Sequence, residues 1–229
     1  KTYNDFYKAY SQICEKLALT YYPCIADSGA LGGDYCHEFQ IPCEAGEDKI
    51  AKCDSCDYAA NIEKAEFVRE EVNGDQELKP YKIVDLPTQV AKIKELVKHY
   101  GMPENCFIKN VVYKTKSNKL VIATITGNMD VNGFKLAKVV GEDELVLATN
   151  EDLAKIGAKT GFVHSWGYEE HKKKIIFVVD ESIVKAKNLY GGYKTETTDP
   201  INVNYGRDFS ADIVGDIADP IDGVVCKNC

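Results

Sequence analysis

The sequence predicts a chain of the α+β or α/β class in which one unit is carried inside another. Three observations lead there. Strands alternate with helices from Leu86 onwards, which makes the middle of the chain a unit of about 120 residues that mixes the two element types. Cys53-Asp54-Ser55-Cys56 and the closing Cys226-Lys227-Asn228-Cys229 form two Cys-x-x-Cys turns, with Cys56 and Cys226 separated by 170 positions in sequence. If those turns meet, everything between them leaves and returns to one place, as an inserted domain does, because domain termini lie at the surface and often close together. Finally, a charged passage of low hydrophobicity from Arg69 to Lys82 reads as a linker between two stretches of different character.

The elements can be justified in order. Phe6, Tyr7, Tyr10, Ile13, Cys14 and Leu17 recur at helical spacing and predict an amphipathic helix from Tyr3 to Leu19 with an aromatic core face. A Tyr-Tyr-Pro strand follows, then a loop with Gly29, Gly32 and Gly33, where backbone can approach a ligand closely. Alternation from Tyr35 to Ile41 predicts a strand with Cys36 and Glu38 on one face and His37 on the other. Tyr58 to Ala65 reads as a short helix. Beyond the linker, Asp85-Leu86-Pro87-Thr88 suits a helix start, with Asp85 or Thr88 as the cap. Val90, Ile93, Leu96, Val97 and Tyr100 line one face of that helix, and Gly101 ends it. A short helical turn at Met102–Asn105 precedes a hairpin of Phe107–Thr115 with Leu120–Thr126. Then come a helix (Asn132–Val140), a strand (Leu145–Ala148), a helix capped by Thr149 or Asn150, a glycine-punctuated loop (Gly157–Gly167) and an apolar strand (Ile175–Val179). The run from Tyr205 to Cys229 is acidic and turn-rich.

Composition narrows the function classes. The 229 residues are 45% hydrophobic and 28% charged, ordinary for a globular chain, and no apolar run is long enough to span a bilayer. A formal charge of −8 supplies no global field for nucleic acid, so any RNA contact must come from a local patch. The first residues do not form a signal peptide, and the missing initial methionine suggests a fragment or a processed product. Nine cysteines in a chain of this length, with a surface rich in lysine and glutamate, favour a reducing cytosol over a disulfide scaffold. Four thiolates from the two turns would suit a tetrahedral structural zinc at Cys53, Cys56, Cys226 and Cys229. A redox pair and small buried cysteines are the competing readings.

Several motifs carry a resemblance. Ala26-Asp27-Ser28-Gly29-Ala30-Leu31-Gly32-Gly33 with His37-Glu38-Phe39 is similar to a signature of bacterial-type prolyl-tRNA synthetases. So are Gly46-Glu47-Asp48-Lys49-Ile50, Cys53-Asp54-Ser55-Cys56-Asp57-Tyr58-Ala59-Ala60-Asn61 and Gly206-Arg207-Asp208-Phe209. The stretch from about Leu86 to Asn204 resembles the editing domain that this family inserts into its class II catalytic core. The resemblance implies an α+β architecture: a mixed-sheet, YbaK-like editing domain at 67–204, inserted into part of an antiparallel-sheet class II core at 1–66 and 205–229. It further implies that the ATP-gripping arginine motif would lie upstream and the anticodon-binding domain downstream, so that this chain alone should not make prolyl-tRNA. The intact parent would be a cytoplasmic homodimer using ATP and Mg2+. Its ligands would be proline, an alanine ester and the acceptor end of tRNA(Pro), with no membrane involved.

The resemblance also implies roles for single residues. A proline pocket rejects a smaller apolar amino acid by only about 1–3 kcal/mol, so a second pocket must hydrolyse mischarged alanine. Lys109, in Ile108-Lys109-Asn110, falls on the editing lysine that binds and orients the acceptor end. Ile93 and Leu96 fall on the apolar pocket walls, although a helix core face explains them equally well. Gly161 aligns with the first glycine of the pocket loop. His164-Ser165 stands where the family has Gly-Pro, and Asp199 stands near where some relatives have a histidine. Either His164 compensates or the pocket is altered, and a loop histidine is ordinarily solvent-facing. Gly32, Gly33, His37 and Glu38 would line or support the aminoacyl-adenylate pocket. A non-catalytic insertion that binds the acceptor stem or supports the core is the alternative function.

Overall fold

A computed structural model describes residues 2–29, 32–33, 35–86, 92–191, 195 and 197–229. The expected helix start at Pro87-Thr88, Val90 of its face, and Ala30, Leu31 and Asp34 of the first glycine loop lie outside the described residues.

The chain divides into two compact units. One comprises Lys1–Val68 with Asp222–Cys229, and the other Arg69–Ile221. The second unit is thus an insertion in the chain, with junctions at 68/69 and 221/222, against 66/67 and 204/205 read from the sequence. The later junction moves because residues 205–221 belong to the inserted unit: strand β12 (below) joins its large sheet, and Ile217 is fully buried in its core. Gly206-Arg207-Asp208-Phe209 lies there too. Arg207 donates to the carbonyls of Lys79 (2.7 Å) and Asn202 (2.6 Å).

In the first unit, α1 (Thr2–Lys16) precedes β1 (Tyr22–Ile25), β2 (His37–Gln40), β3 (Ile50–Lys52) and β4 (Ala59–Asn61). The four strands form a sheet in the order β2-β1-β4-β3. The expected antiparallel sheet is mixed, since β1 and β4 run parallel through Ile25 and Ala60. The short helix read at Tyr58–Ala65 is β4 and a turn. Its alanines are short enough to pass through the sheet interior, and Ala59 and Ala60 are both buried. Helix α1 forms as its spacing predicts, but of the expected core face only Cys14 is buried and Tyr7 half-buried. Phe6, Tyr10, Ile13 and Leu17 are all more than half exposed.

The inserted unit is built on two sheets. β5 (Lys82–Asp85), β10 (Leu189–Tyr190) and β11 (Thr198–Val203) form an antiparallel sheet, β10-β11-β5. The larger sheet uses β6 (Ile108–Lys114), β7 (Leu120–Thr126), β8 (Val146–Leu147), β9 (Ile175–Asp180) and β12 (Ile213–Gly215), in the order β12-β9-β7-β6-β8. β7 pairs antiparallel with β6 and parallel with β9, so the sheet is mixed as expected. Every residue of β7 is buried, which is the pattern of a central strand covered on both faces. On one face Val121, Ala123 and Val178 pack with Leu136 and Ile217. On the other, Val112, Leu120, Ile122 and Ile175 pack with Leu153, Ile156, Val163 and Tyr168. Each such aliphatic side chain contributes about 1.5–3 kcal/mol of burial.

The helices of this unit are α2 (Ile93–Tyr100), α3 (Gly133–Val140), α4 (Asn150–Ala154) and α5 (Glu181–Lys185). Gly101 ends α2 in the left-handed conformation (φ 65°), which glycine adopts without a Cβ penalty. Asp85 does not cap α2, because it lies in β5. Asn132 caps α3 by accepting from Lys135 N (2.9 Å), and Thr149 caps α4 in a capping box with Asp152. The Arg69–Lys82 passage is packed against the unit and does not act as a loose linker. Val72 is buried, its carbonyl accepts from Lys187 N (2.9 Å), and Asn188 Oδ1 accepts from Lys79 N (2.9 Å).

Candidate functional site

Successive residues of a strand point to opposite faces, and β6 uses both. Lys109 pairs with Ile125 of β7 and shares its face with Tyr113, toward α3. Its ammonium donates to the carbonyl of Met129 (3.0 Å) and to the Asp130 carboxylate, and the side chain is 29% exposed. Asn110 points the other way, into a hydroxyl-amide network. Its Oδ1 accepts from Thr124 Oγ1 and Ser165 Oγ (both 2.8 Å), and its Nδ2 donates to Val163 O (3.0 Å). Ser165 is therefore buried and anchored to β6 and β7, and the glycine-punctuated loop is fastened to the sheet through it.

His164 is 2% exposed and stacks on Tyr168 with ring centroids 4.3 Å apart and planes 3° from parallel. The expectation of a solvent-facing loop histidine is overturned, because the aromatic stack takes the ring into the core. Burial pushes the Tyr168 phenol up to about 12. Gly161, at φ 84°, sits in the left-handed region at the start of this loop.

Ile93 and Leu96 come together on α2, in the cluster that also holds Phe107, Ile108 and Val179. Gly127, at the end of β7, permits this approach. A Cβ there would lie 2.6 Å from Glu104 O and 3.2 Å from Ile93 Cγ2. Asp199 on β11 is buried and accepts from the Tyr100 hydroxyl of α2 (3.2 Å). Burial pushes the Asp199 carboxyl up, against the pull of the Tyr100 hydrogen bond and of nearby His99. Burial and the neighbouring Asp199 also push the Tyr100 phenol up. Ile93, Leu96 and Asp199 are thus gathered around α2. His164 and Ser165 lie along the same sheet face as Ile108, and Lys109 lies on the opposite face.

In the first unit, Gly32 and Gly33 are exposed with φ of 66° and 112°. His37 meets α1, where its Nδ1 lies 2.6 Å from Tyr3 Oη and the Tyr7 ring stands edge-on at 5.3 Å. Glu38 accepts from Asn61 Nδ2 (2.6 Å) and Gln40 Nε2 (2.9 Å) on the other face. The four cysteines of the two turns do meet, with all four Sγ atoms within 4.8 Å of one another. The Ser55 amide and neighbouring thiols hold Cys53 down at about 7, while the other three thiols push Cys229 up to about 12.

Sequence reasoning missed two polar assemblies. One is the Asn110–Thr124–Ser165 network. The other is a buried charge cluster in the inserted unit. Arg69 donates to both oxygens of Asp180 (2.9 and 3.1 Å) and to Asp216 (2.5 Å), and Lys135 donates to Asp216 (3.0 Å) and to Ala218 O (2.9 Å). The four charges come from separate parts of the sequence, so no local spacing announces them.

The aminoacyl-tRNA editing domain family matches residues 87–206, just over half of the chain. The chain belongs to that family. This editing-family chain is also 40% identical over 233 residues to the proline–tRNA ligase of Thermoanaerobacter sp. (strain X514), and 35% identical over 230 residues to that of Brachyspira hyodysenteriae. Both alignments cover 100% of the chain but only 40% and 39% of the relatives, so the chain spans about two fifths of their length. Among solved structures, hypothetical protein APE2540 shares the fold, with a TM-score of 0.52 and 18% identity over 61% of this chain and 92% of that one. No helix among the described residues is long and apolar enough to cross a membrane.

Proposed function

We propose that this chain is the editing portion of a proline–tRNA ligase and hydrolyses the ester of alanine mischarged on tRNA(Pro). One observation carries the reading: a chain similar to proline–tRNA ligases from end to end contains an aminoacyl-tRNA editing domain in its middle. The chemistry fits a site that needs little machinery. An aminoacyl ester is already activated, so holding it and placing a water or ribose hydroxyl against its carbonyl supplies most of what is required. A water oxygen bonds to the ester carbon, and the bond from that carbon to the ribose oxygen breaks. The proton lost by the water passes to that ribose oxygen, which frees alanine from the tRNA.

Within this reading Lys109 attracts the phosphates of the acceptor end, and Asp130 with Met129 O holds its ammonium in place. Ile93 and Leu96 form an apolar wall that admits a methyl group and excludes the proline ring. Asp199 with Tyr100 bounds that wall, and His164 and Ser165, built into the core on the sheet face opposite Lys109, brace the loop from Gly161. The units at 1–68 with 222–229 and at 69–221 would be the ligase core piece and the editing insertion. Gly32, Gly33, His37 and Glu38 would serve the adenylate pocket. At parent length the enzyme would be a cytoplasmic homodimer using ATP with Mg2+, and the four cysteines would hold a structural zinc.

A second reading has a specific observation behind it: His164-Ser165 fills the place of Gly-Pro and is built into the core. In that reading the insertion binds the acceptor stem without hydrolysis. Deacylation of alanyl-tRNA(Pro), with prolyl-tRNA(Pro) as the control, separates the two. We expect alanine release above background, no proline release, and a loss of about 100-fold or more in Lys109→Ala, the scale of removing one electrostatic donor. RNA binding without alanine release would establish the second reading instead.

A further inference from the structure

We propose that Cys53, Cys56, Cys226 and Cys229 bind one zinc ion as four thiolates, and that loading this site decides whether the first unit is folded. The proposal rests on the reading of the four cysteines as a metal seat and goes beyond it by making the fold of the unit depend on the metal.

The sulfur geometry points to a metal. Cys53 and Cys229 sulfurs are 3.6 Å apart, and those of Cys56 and Cys226 are 3.9 Å apart. A tetrahedron with zinc–sulfur bonds of about 2.3 Å places its ligands about 3.8 Å apart, which these distances bracket. A disulfide would need about 2.05 Å, and all nine cysteines are free. The two turns are also built alike. In each, the backbone amide two residues on donates to the first sulfur: Ser55 N to Cys53 Sγ and Asn228 N to Cys226 Sγ, both 3.3 Å. Asn228 Nδ2 lies 3.9 Å from Cys56 Sγ, across the two turns. Such donors orient thiolates and spread their charge around a bound cation. Among the described residues no fifth donor belongs to the cluster, the arrangement of a closed, structural site. Binding converts four thiols and Zn2+ into a tetrathiolate complex and releases four protons.

The coupling to folding follows from what else holds the unit together. Its buried hydrophobic residues are Cys14, Cys24, Ala26, Ala59, Ala60, Ala65 and Phe67. Among its described residues no valine, leucine or isoleucine is buried, while Phe6, Tyr10, Ile13, Leu17, Ile41 and Val225 are exposed. Units of fewer than about 80 residues with so little core usually depend on a metal or disulfide staple. Besides the sulfurs, the second segment, 222–229, meets the first through Val68 N to Val225 O (2.9 Å), a bridge between Phe67 and Cys226, and the exposed Lys227–Glu66 ion pair. The cysteines supply two ligands from each segment, so the metal would cross-link the two ends of the unit.

The test uses the 229-residue chain, purified under reducing conditions. Elemental analysis should find one zinc per chain, and Co2+ in its place should give thiolate-to-metal charge-transfer absorption. Cys229→Ser should weaken zinc binding by more than the 10–100-fold typical of losing a neighbour of a ligand, whereas Cys43→Ser, outside the cluster, should leave zinc content unchanged. Stripping the zinc with a chelator should raise amide hydrogen exchange in β1–β4 and 222–229 by about tenfold or more, with β6, β7 and β9 still protected. A metal-free or iron-loaded chain, or a Cys229→Ser chain with unchanged affinity, would overturn the zinc seat. One zinc per chain whose removal leaves β1–β4 protected would overturn the coupling and leave the seat standing.

Discussion

The two units of this chain solve the same problem with different materials. The inserted unit buries Ile122, Ile125, Leu136, Ile183, Leu189 and Ile217 completely, and places a four-charge cluster within reach of that core. The first unit buries cysteines, alanines and Phe67, and leaves Phe6, Tyr10, Ile13, Leu17 and Ile41 exposed. Both contain a mixed sheet, so the sheet pattern does not separate them. What separates them is whether long-range aliphatic contacts exist. The inserted unit has them, and its polar groups then become liabilities that must be matched inside. Among its described residues the first unit buries no valine, leucine or isoleucine, and its sulfurs come together.

Breaking the matched charges should produce the largest effect. Asp180→Ala would leave the Arg69 guanidinium, 1% exposed, without the carboxylate that receives two of its hydrogen bonds. Removing one partner of a buried pair costs about 3–5 kcal/mol, and denaturation followed through the fluorescence of Trp166, the single tryptophan, should show it as a lower midpoint. A change under 1 kcal/mol would mean that the cluster is not the constraint its burial suggests. Burial pushes Asp180 up, but Arg69 overcomes it, so the carboxyl is held below its ordinary value. Its stabilisation is therefore present above the unfolded value of about 3.9 and lost as pH falls further.

A smaller effect of opposite sign is expected at Asp199. Its carboxyl is pushed up by burial, so its contribution is complete below the unfolded value and is lost as pH rises through the folded one. Asn cannot ionise and can still accept from Tyr100, so Asp199→Asn should lose less stability than wild type between acid and neutral pH. Identical pH profiles in tryptophan-monitored unfolding would refute that reading. The smallest effect belongs to the first unit. Phe6→Ser, on the exposed face of α1, should change stability by less than about 0.5 kcal/mol as read by hydrogen exchange in α1, and a larger loss would mean that this face is packed.

Periodicity made most of the inserted unit legible. The β6–β7 hairpin, α3 with Asn132, the Thr149 cap and the Gly101 stop all followed from local rules, because each depends on neighbours within a few residues. The misreadings have a common cause. A stripe of Phe6, Tyr10, Ile13 and Leu17 states which face of a helix is apolar, but not whether anything covers it. Arg69–Lys82 looked like a linker because its charges were counted as solvated, whereas Arg69 finds Asp180 and Asp216 far along the chain. His164 looked exposed for the same reason, since its cover is the Tyr168 ring.

By itself the sequence carried the two cysteine turns that suggest an interrupted arrangement and the contiguous motifs of the family resemblance, and through that resemblance it proposed Lys109, Ile93 and Leu96 as candidate residues. Only the tertiary structure decided that the insertion extends to Ile221, that Lys109 and Ser165 occupy opposite sides of one sheet, and that Asp130 and Asn110 are their partners. The physical reason is strand register. Which face a residue meets, and which distant residue stands there, is set by pairing between strands that local sequence does not encode.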